Sequence, residues 1–342
     1  MDQSKPPRDA LEDATHTIAI IGLGDLGLAL GRALRALRTS YRVLGHDREP
    51  ERARAAVAAG AIDRAVWTLP AAVEEADLVF LCEPVDQTLE TLTWIAPHLK
   101  PEAMVTDIAP LKAPVLERAA EVLPAGVSYV GGHPILAGAR HAAAESDPLA
   151  AFRGVAWCLC APPRTHPEAV ATLERLLAAL QARPFYIDAA EHDALTGGAL
   201  LLPLLGELAL LGALDQSPSA GDLRRLGAPA FLARIGAAED LGAAVAPLAR
   251  AEPAALLRWL DSQLAALTEL RGALTAGEDA WQAWLDGATA RAAAWEQPAD
   301  RRDAFDQALS DAPRSLDLGR RLFGRWGRPR PPEPPGERVG PS

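Results

Sequence analysis

The chain has 342 residues, enough for about two domains, and its 49% apolar and 23% charged residues exclude wholesale disorder. Lys and Arg number 34 against 45 Asp and Glu, a formal net charge of −11, which is the wrong sign for a surface that must replace the counterions of a nucleic acid or an anionic membrane. Three cysteines, two of them one residue apart at 158 and 160 with no His or Cys cluster beside them, give neither a disulfide framework nor a zinc site, so the chain reads as soluble and cytoplasmic.

Residues 1–15 are polar, contain no apolar stretch of the signal-peptide kind, and are expected to be disordered. From Thr17 onward, short apolar and β-branched runs alternate with longer Ala/Leu/Arg-rich ones. Strands are expected at 17–21, 41–45, 77–82, 103–107 and 127–131, with helices at 26–37, 51–59, 87–96 and 113–122. Near-continuous apolar strands separated by helices are what a parallel sheet covered on both faces requires. Two further strands, 155–161 and 184–187, flank a helix at 168–180 and extend the sheet. The fold class is therefore α/β, a doubly wound, mostly parallel, Rossmann-type domain over residues 16–188.

After Asp188 the pattern changes to helical periodicity broken by Gly and Pro, so residues 189–325 are expected to form an all-helical domain. Within it Leu256, Leu260, Leu264, Leu267 and Leu274 fall near one face, as do Trp281, Trp284, Ala288, Arg291 and Trp295. Such spacing is the ordinary mark of a buried helix face, and core packing is expected rather than an aromatic cofactor box. The apolar run 197–214 approaches the length of a membrane span, but Glu207 and Pro203 interrupt it and no basic flank anchors it. It reads as a core or dimer-interface helix, with no membrane partner, and a domain so rich in Leu and Trp favours a homodimer. The Pro-rich stretch 326–342 has almost nothing apolar to bury and is expected to be a disordered tail.

The first strand runs directly into Gly22-Leu23-Gly24-Asp25-Leu26-Gly27, a G-x-G-x-x-G turn that opens a helix, and Asp47 follows Gly27 by 20 residues at the end of the second strand. Gly22 permits the tight turn, Gly24 lets the backbone approach a pyrophosphate, and Gly27 lets helix and strand pack closely. The helix N-terminus supplies free N–H groups to the anion. Asp47 suits the two ribose hydroxyls and repels a 2′-phosphate, which favours NAD, while Arg48 beside it could grip such a phosphate and keeps NADP open.

Gly131-Gly132-His133-Pro134 follows the fifth expected strand, placing His133 in a loop on the edge of the sheet that also carries the phosphate turn. An imidazole there could take a hydroxyl proton as hydride leaves for a nicotinamide. His16, His98, His141 and His166 lie in polar or Pro-flanked text, and His46 adjoins Asp47. His192, in Glu191-His192-Asp193, is either a first-turn surface residue or a substrate contact.

These pieces, together with Cys82-Glu83-Pro84-Val85 and Thr106-Asp107-Ile108, in this order and spacing over most of residues 17–245, resemble the prephenate/arogenate dehydrogenases of tyrosine biosynthesis. The resemblance implies a dinucleotide-binding domain joined to a helical dimerisation domain, with Glu83, Pro84 and Asp107 on the cofactor side. It implies oxidative decarboxylation of a cyclohexadienol: hydride passes to NAD(P)+, His133 accepts the hydroxyl proton, and loss of CO2 aromatises the ring. Arg234 resembles the family's carboxylate-holding arginine, and a bidentate, always-charged guanidinium suits a dianionic small molecule. Two departures stand out. Pro110 occupies the place of the family's serine after the Thr-Asp pair, and Leu200-Leu201-Leu202-Pro203-Leu204 replaces its Ser-His-Leu-Pro-His run, which makes the pocket drier. Two alternatives therefore stay open: a related dehydrogenase for a less polar substrate, and a non-catalytic dinucleotide-binding dimer.

Overall fold

A computed structural model describes residues 16–37, 41–136, 147–235, 250 and 253–296, without the side chains of 228–235 and 296. The two expected disordered ends, 1–15 and 326–342, lie outside the described residues.

Eight strands form one sheet: β1 (His16–Ile21), β2 (Tyr41–His46), β3 (Arg64–Ala65), β4 (Leu78–Leu81), β5 (Met104–Asp107), β6 (Ser128–Pro134), β7 (Ala156–Cys160) and β8 (Arg183–Tyr186). Their order is β3-β2-β1-β4-β5-β6-β7-β8. All pairs are parallel except β6 with β7. The first six strands have the dinucleotide-fold order, in which ligands bind outside the carboxyl ends of the strands beside the β1–β4 switch point.

The helices α1 (Asp25–Ala36), α2 (Pro50–Ala58), α3 (Leu69–Val73), α4 (Val85–Ile95), α5 (Ala113–Val122) and α6 (Pro167–Ala179) accompany the sheet. Alternation along each strand sends side chains to two separate cores. Ile18, Ile20, Val43 and Phe80 pack with Leu30 and Leu34 of α1 and Leu173 and Leu177 of α6. Ala19, Ile21, Val79, Leu81 and Val105 pack with Leu92 and Ile95 of α4 and Val115 of α5. Each fully buried aliphatic side chain contributes about 1.5–3 kcal/mol, so the sheet carries apolar cover on both faces, as the near-continuous runs require. The short β3 and α3 are absent from the sequence expectation.

Asp188 caps the first helix after the sheet, its carboxylate accepting from Ala190 N at 2.8 Å. Beyond it come α7 (Ala189–Thr196), a π-helical turn (Gly197–Leu201), α8 (Leu202–Asp215), α9 (Ala220–Ile235), α10 (Pro253–Ala276) and α11 (Glu278–Glu296), with no strand among the described residues. The π-turn has a covalent cause. Leu202 N–H donates five residues back to Gly197 O, and Pro203 has no N–H with which to continue the α pattern.

The expected core role of the helical leucines and tryptophans is corrected for the single chain. Leu264, Leu267 and Leu274 are 60%, 52% and 60% exposed and Trp295 is 86% exposed. Only Leu256 of that leucine set is buried, while Trp281 and Trp284 stack on each other at 5.5 Å. The continuous helix Ala189–Asp215 is long and apolar enough to cross a membrane by length and composition, and only 6% of its apolar window is buried within the chain. It is not a core helix of one protomer.

Candidate active site

The glycine turn has the geometry its spacing implies. Gly22 takes φ +91°, and a Cβ on it would lie 2.5 Å from Cys82 O. A Cβ on Gly27 would lie 2.0 Å from Gly22 O, so α1 rests directly against the turn. Gly24 differs, since nothing lies within 4 Å of its Cβ position and no side chain caps α1 there. Its open face leaves the first N–H groups of α1 to an incoming anion. Leu23 is buried and Leu26 packs against the sheet core, so both serve the turn through their backbone, while Asp25 is exposed in the first turn of α1.

Asp47 closes the turn from β2. Its Oδ2 accepts from Leu23 N at 2.7 Å and its Oδ1 from Glu49 N at 2.8 Å. Each carboxylate oxygen keeps a lone pair, so the pair of oxygens can still receive two hydroxyls. Arg48 is committed to acids, with its Nη2 3.1 Å from Glu90 and its Nε 3.9 Å from Glu83. Glu83 lies beneath the turn, its Cγ 2.9 Å from where a Cβ on Gly22 would sit, and it accepts from Thr91 Oγ1 at 2.6 Å. Burial pushes its carboxyl above the usual range against the opposing pull of Thr91 and Arg48. Pro84 stands at the N-cap of α4.

Two expectations are corrected at the neighbouring strands. Asp107 is wholly buried and its carboxylate is consumed by protein: it accepts from Tyr129 OH at 2.6 Å, Ala109 N at 3.0 Å and Gly132 N at 3.1 Å, and it pairs with Lys112 Nζ. It therefore presents nothing to a cofactor. His133 lies inside β6 rather than in a loop. Beyond Val130 that strand leaves β5 and continues antiparallel to β7, with His133 opposite Cys158.

His133 Nδ1 is 2.9 Å from His192 Nε2, and His192 Nδ1 is 2.7 Å from Asp193 Oδ1. Asp193 also accepts from Lys112 N at 2.7 Å and Ala113 N at 2.8 Å, which ties α7 to the start of α5. His192 is thus neither a surface residue nor a substrate contact, because it is buried and protein partners occupy both ring nitrogens. Burial, the Lys112 charge and His192 push the His133 imidazole down to about 3, so it is neutral at physiological pH. The sequence reasoning missed Lys112 and Asp193 as members of this group, although Asp193 stands beside His192 in a stretch already singled out. Arg234 belongs to α9, and its side chain lies outside the described residues.

A Rossmann-order sheet, a glycine turn with an open helix N-terminus, an acid at the end of β2 and a buried histidine on the same sheet edge define the class of dinucleotide-binding α/β proteins with a helical extension. Residues 30–186 match the family model described as "Prephenate dehydrogenase, nucleotide-binding domain". The resemblance to the prephenate/arogenate dehydrogenases is borne out. The chain is 32% identical over 181 residues to a prephenate dehydrogenase of Bacillus subtilis, covering 53% of this chain and 48% of that protein. It is 31% identical over 229 residues to one of Lactococcus lactis subsp. cremoris, covering 66% and 62%. The chain thus spans about half to three-fifths of the length of these relatives. A prephenate dehydrogenase of A. aeolicus, solved with hydroxyphenyl propionate and NAD+, superposes with a TM-score of 0.70 at 20% identity, covering 82% of this chain and 99% of that one, and shares the fold.

Proposed function

We propose that the protein is an NAD-dependent dehydrogenase that oxidatively decarboxylates prephenate or arogenate, giving 4-hydroxyphenylpyruvate or tyrosine. The observation that carries this reading is the placement of His133, a neutral imidazole buried at the C-terminal end of β6 on the sheet edge that bears the glycine turn. The family match of the α/β part supports it.

The residues fit a dinucleotide: the Cβ position of Gly24 is open, the start of α1 carries no side-chain cap, and Asp47 keeps acceptor capacity for ribose hydroxyls. A nicotinamide held there would supply the acceptor for the hydride released from the carbinol carbon. His133 takes the hydroxyl proton as that C–H bond breaks and returns it to the ring oxygen once the C–CO2 bond has cleaved and its electrons have aromatised the ring. Arg234 is the proposed carboxylate clamp. Arg48 is held by Glu83 and Glu90 and Asp47 stands at the end of β2 with acceptor capacity left, which supports NAD over NADP.

We also propose a cytoplasmic homodimer built on the helical part, supported by the exposed leucines of α10 and the apolar surface of α8. A protomer buries too little of these helices to account for their composition.

The test is NADH absorbance on mixing the protein with NAD+ and prephenate, then arogenate. Turnover that disappears in His133→Ala while NAD+ binding persists supports the reading. Failure with both substrates in a protein that binds NAD+ overturns it. The apolar Leu200–Leu204 stretch, with Leu201 buried, supports one second reading, a less polar hydroxy acid, which would then be the substrate to test.

A further inference from the structure

His133 reaches a third residue. Asp193 is within two hydrogen bonds of it, and the chemistry of the chain between them is determinate. A carboxylate only accepts. Asp193 Oδ1 lies 2.7 Å from His192 Nδ1, so that nitrogen carries the proton. In a neutral imidazole His192 Nε2 is then a lone pair, and its partner at 2.9 Å, His133 Nδ1, must be the donor. One nitrogen of His133 is left, Nε2, and it is unprotonated. Neutral histidine in water prefers the opposite tautomer, with the proton on Nε2, so the arrangement imposes a form that the ring does not favour alone.

We propose that His192 and Asp193 are positioning residues that lock His133 in the Nδ1–H tautomer and aim its Nε2 lone pair as the base. This rests on the reading of His133 given above and deepens it. The position is well built for the task. His192 and Asp193 are both about 2% exposed, and Asp193 is held by the backbone N–H groups of Lys112 and Ala113. The rings meet edge-on, with centroids 5.1 Å apart at 74°. The role also has a reason in this chain. Among the described residues the hydrogen-bond partner of the His133 ring is His192. Orientation of the base therefore falls on α7, which reaches the sheet at this point.

The charged and titratable groups around His133 are Asp107 on β5, Tyr129 on β6, Lys112 before α5, Cys158 and Cys160 on β7, and His192 with Asp193 on α7. A pH profile alone mixes their titrations, so the direct measurement is the tautomer itself. Long-range 1H–15N correlation spectra of the full chain labelled with 15N-histidine report which ring nitrogen of each histidine bears the proton, and they need no substrate. The expected result is an Nδ1–H signature for both His133 and His192. His192→Phe removes the acceptor and His192→Gln keeps one near the place of Nε2. In the Phe variant His133 is expected to revert to Nε2–H and kcat to fall on the order of 10²–10⁴-fold with KM changed little, as expected for a wrong tautomer. The Gln variant is expected to restore the Nδ1–H form and most of the rate. NAD+ affinity serves as the check that both variants fold.

An Nε2–H signature for His133 in the unaltered protein, or a tautomer indifferent to His192→Phe in a variant that still binds NAD+, overturns the proposal. Absence of turnover in the unaltered protein overturns the dehydrogenase reading instead, and the spectra then decide the tautomer lock separately.

Discussion

Lys112 and Asp107 form an ion pair from which water is fully excluded, both side chains being 0% exposed. Such a pair is retained only when every remaining lone pair and proton is satisfied, and here Lys112 Nζ also donates to Gly132 O at 2.7 Å while Asp107 accepts from Tyr129, Ala109 and Gly132. Removing one member strands the other. Lys112→Met is expected to cost about 3–5 kcal/mol, and Lys112→Met with Asp107→Asn distinctly less, because the second change removes the orphaned charge. Urea unfolding midpoints of the two variants measure the difference. Equal losses would show that the charge is not what the site must balance.

The glycines of the turn separate into two kinds by what surrounds them. Gly27→Ala places a methyl 2.0 Å from Gly22 O and is expected to lower the melting temperature by several degrees. Gly24→Ala meets nothing within 4 Å and is expected to leave it unchanged while weakening NAD+ binding by at least about 10-fold. Differential scanning fluorimetry with and without NAD+ reads both effects. Full NAD+ binding by the Gly24 variant would remove that turn from the cofactor site.

Cofactor choice is expected to follow the acids around Arg48. Asp47→Asn keeps an oxygen for Leu23 N–H but drops the charge, so NAD+ binding should weaken about 10-fold, the worth of one hydrogen bond to a charged group. NADP+ binding should tighten, and further so when Glu90→Gln releases the guanidinium it holds at 3.1 Å. Titration calorimetry of the single and double variants against both cofactors gives the ratios. An unchanged ratio would place the ribose elsewhere.

Acid stability should carry the mark of His133. The imidazole is held at about 3 in the folded protein and sits near 6.5 in an unfolded chain. Between those values the unfolded state binds a proton that the native state refuses. Stability therefore falls as pH drops from about 6.5 toward 3, by at most about 1.4 kcal/mol per pH unit from this group, and is unaffected by it above 6.5. His133→Asn should show a shallower decline in urea midpoint between pH 6.5 and 4.5. A decline of equal slope would assign the acid sensitivity to other groups.

The exposed leucines of α10 bear on assembly. Leu264→Glu combined with Leu267→Glu alters side chains that one protomer leaves 60% and 52% exposed. Light scattering is expected to show the unaltered protein at twice the chain mass and the double variant near the monomer mass, with the melting temperature lowered. A dimer that survives both changes would place the interface on another face.

Much of the α/β part was legible from residues 17–188 because its periods are local. Apolar strand runs, glycine spacing and the 20-residue offset to Asp47 are all written along the chain. The sheet extension of β6 was not, since whether His133 continues a strand depends on β7, more than twenty residues later, turning antiparallel. The pairing of His133 with His192 spans 59 residues and two elements, and no periodicity encodes it. Nothing in the residues next to Lys112 distinguishes it from a solvated loop lysine, and its burial against Asp107 is set by the packing of β5, β6 and α5. In the helices the leucine spacing was right, but the sequence does not say whether an apolar face meets its own chain or another.

The π-turn at Gly197–Leu201 adds one residue to a single coil of the backbone. That one extra position rotates everything downstream by about 100° about the axis. His192 and Asp193 can thus look inward at the sheet while α8 sends its leucines in a direction that a regular helix of the same length would have given to other residues. Deleting one residue within the turn would swing the whole of α8 round its axis without touching the histidines, so the inward-facing His192 and Asp193 and the exposed apolar surface of α8 are set independently on one continuous rod.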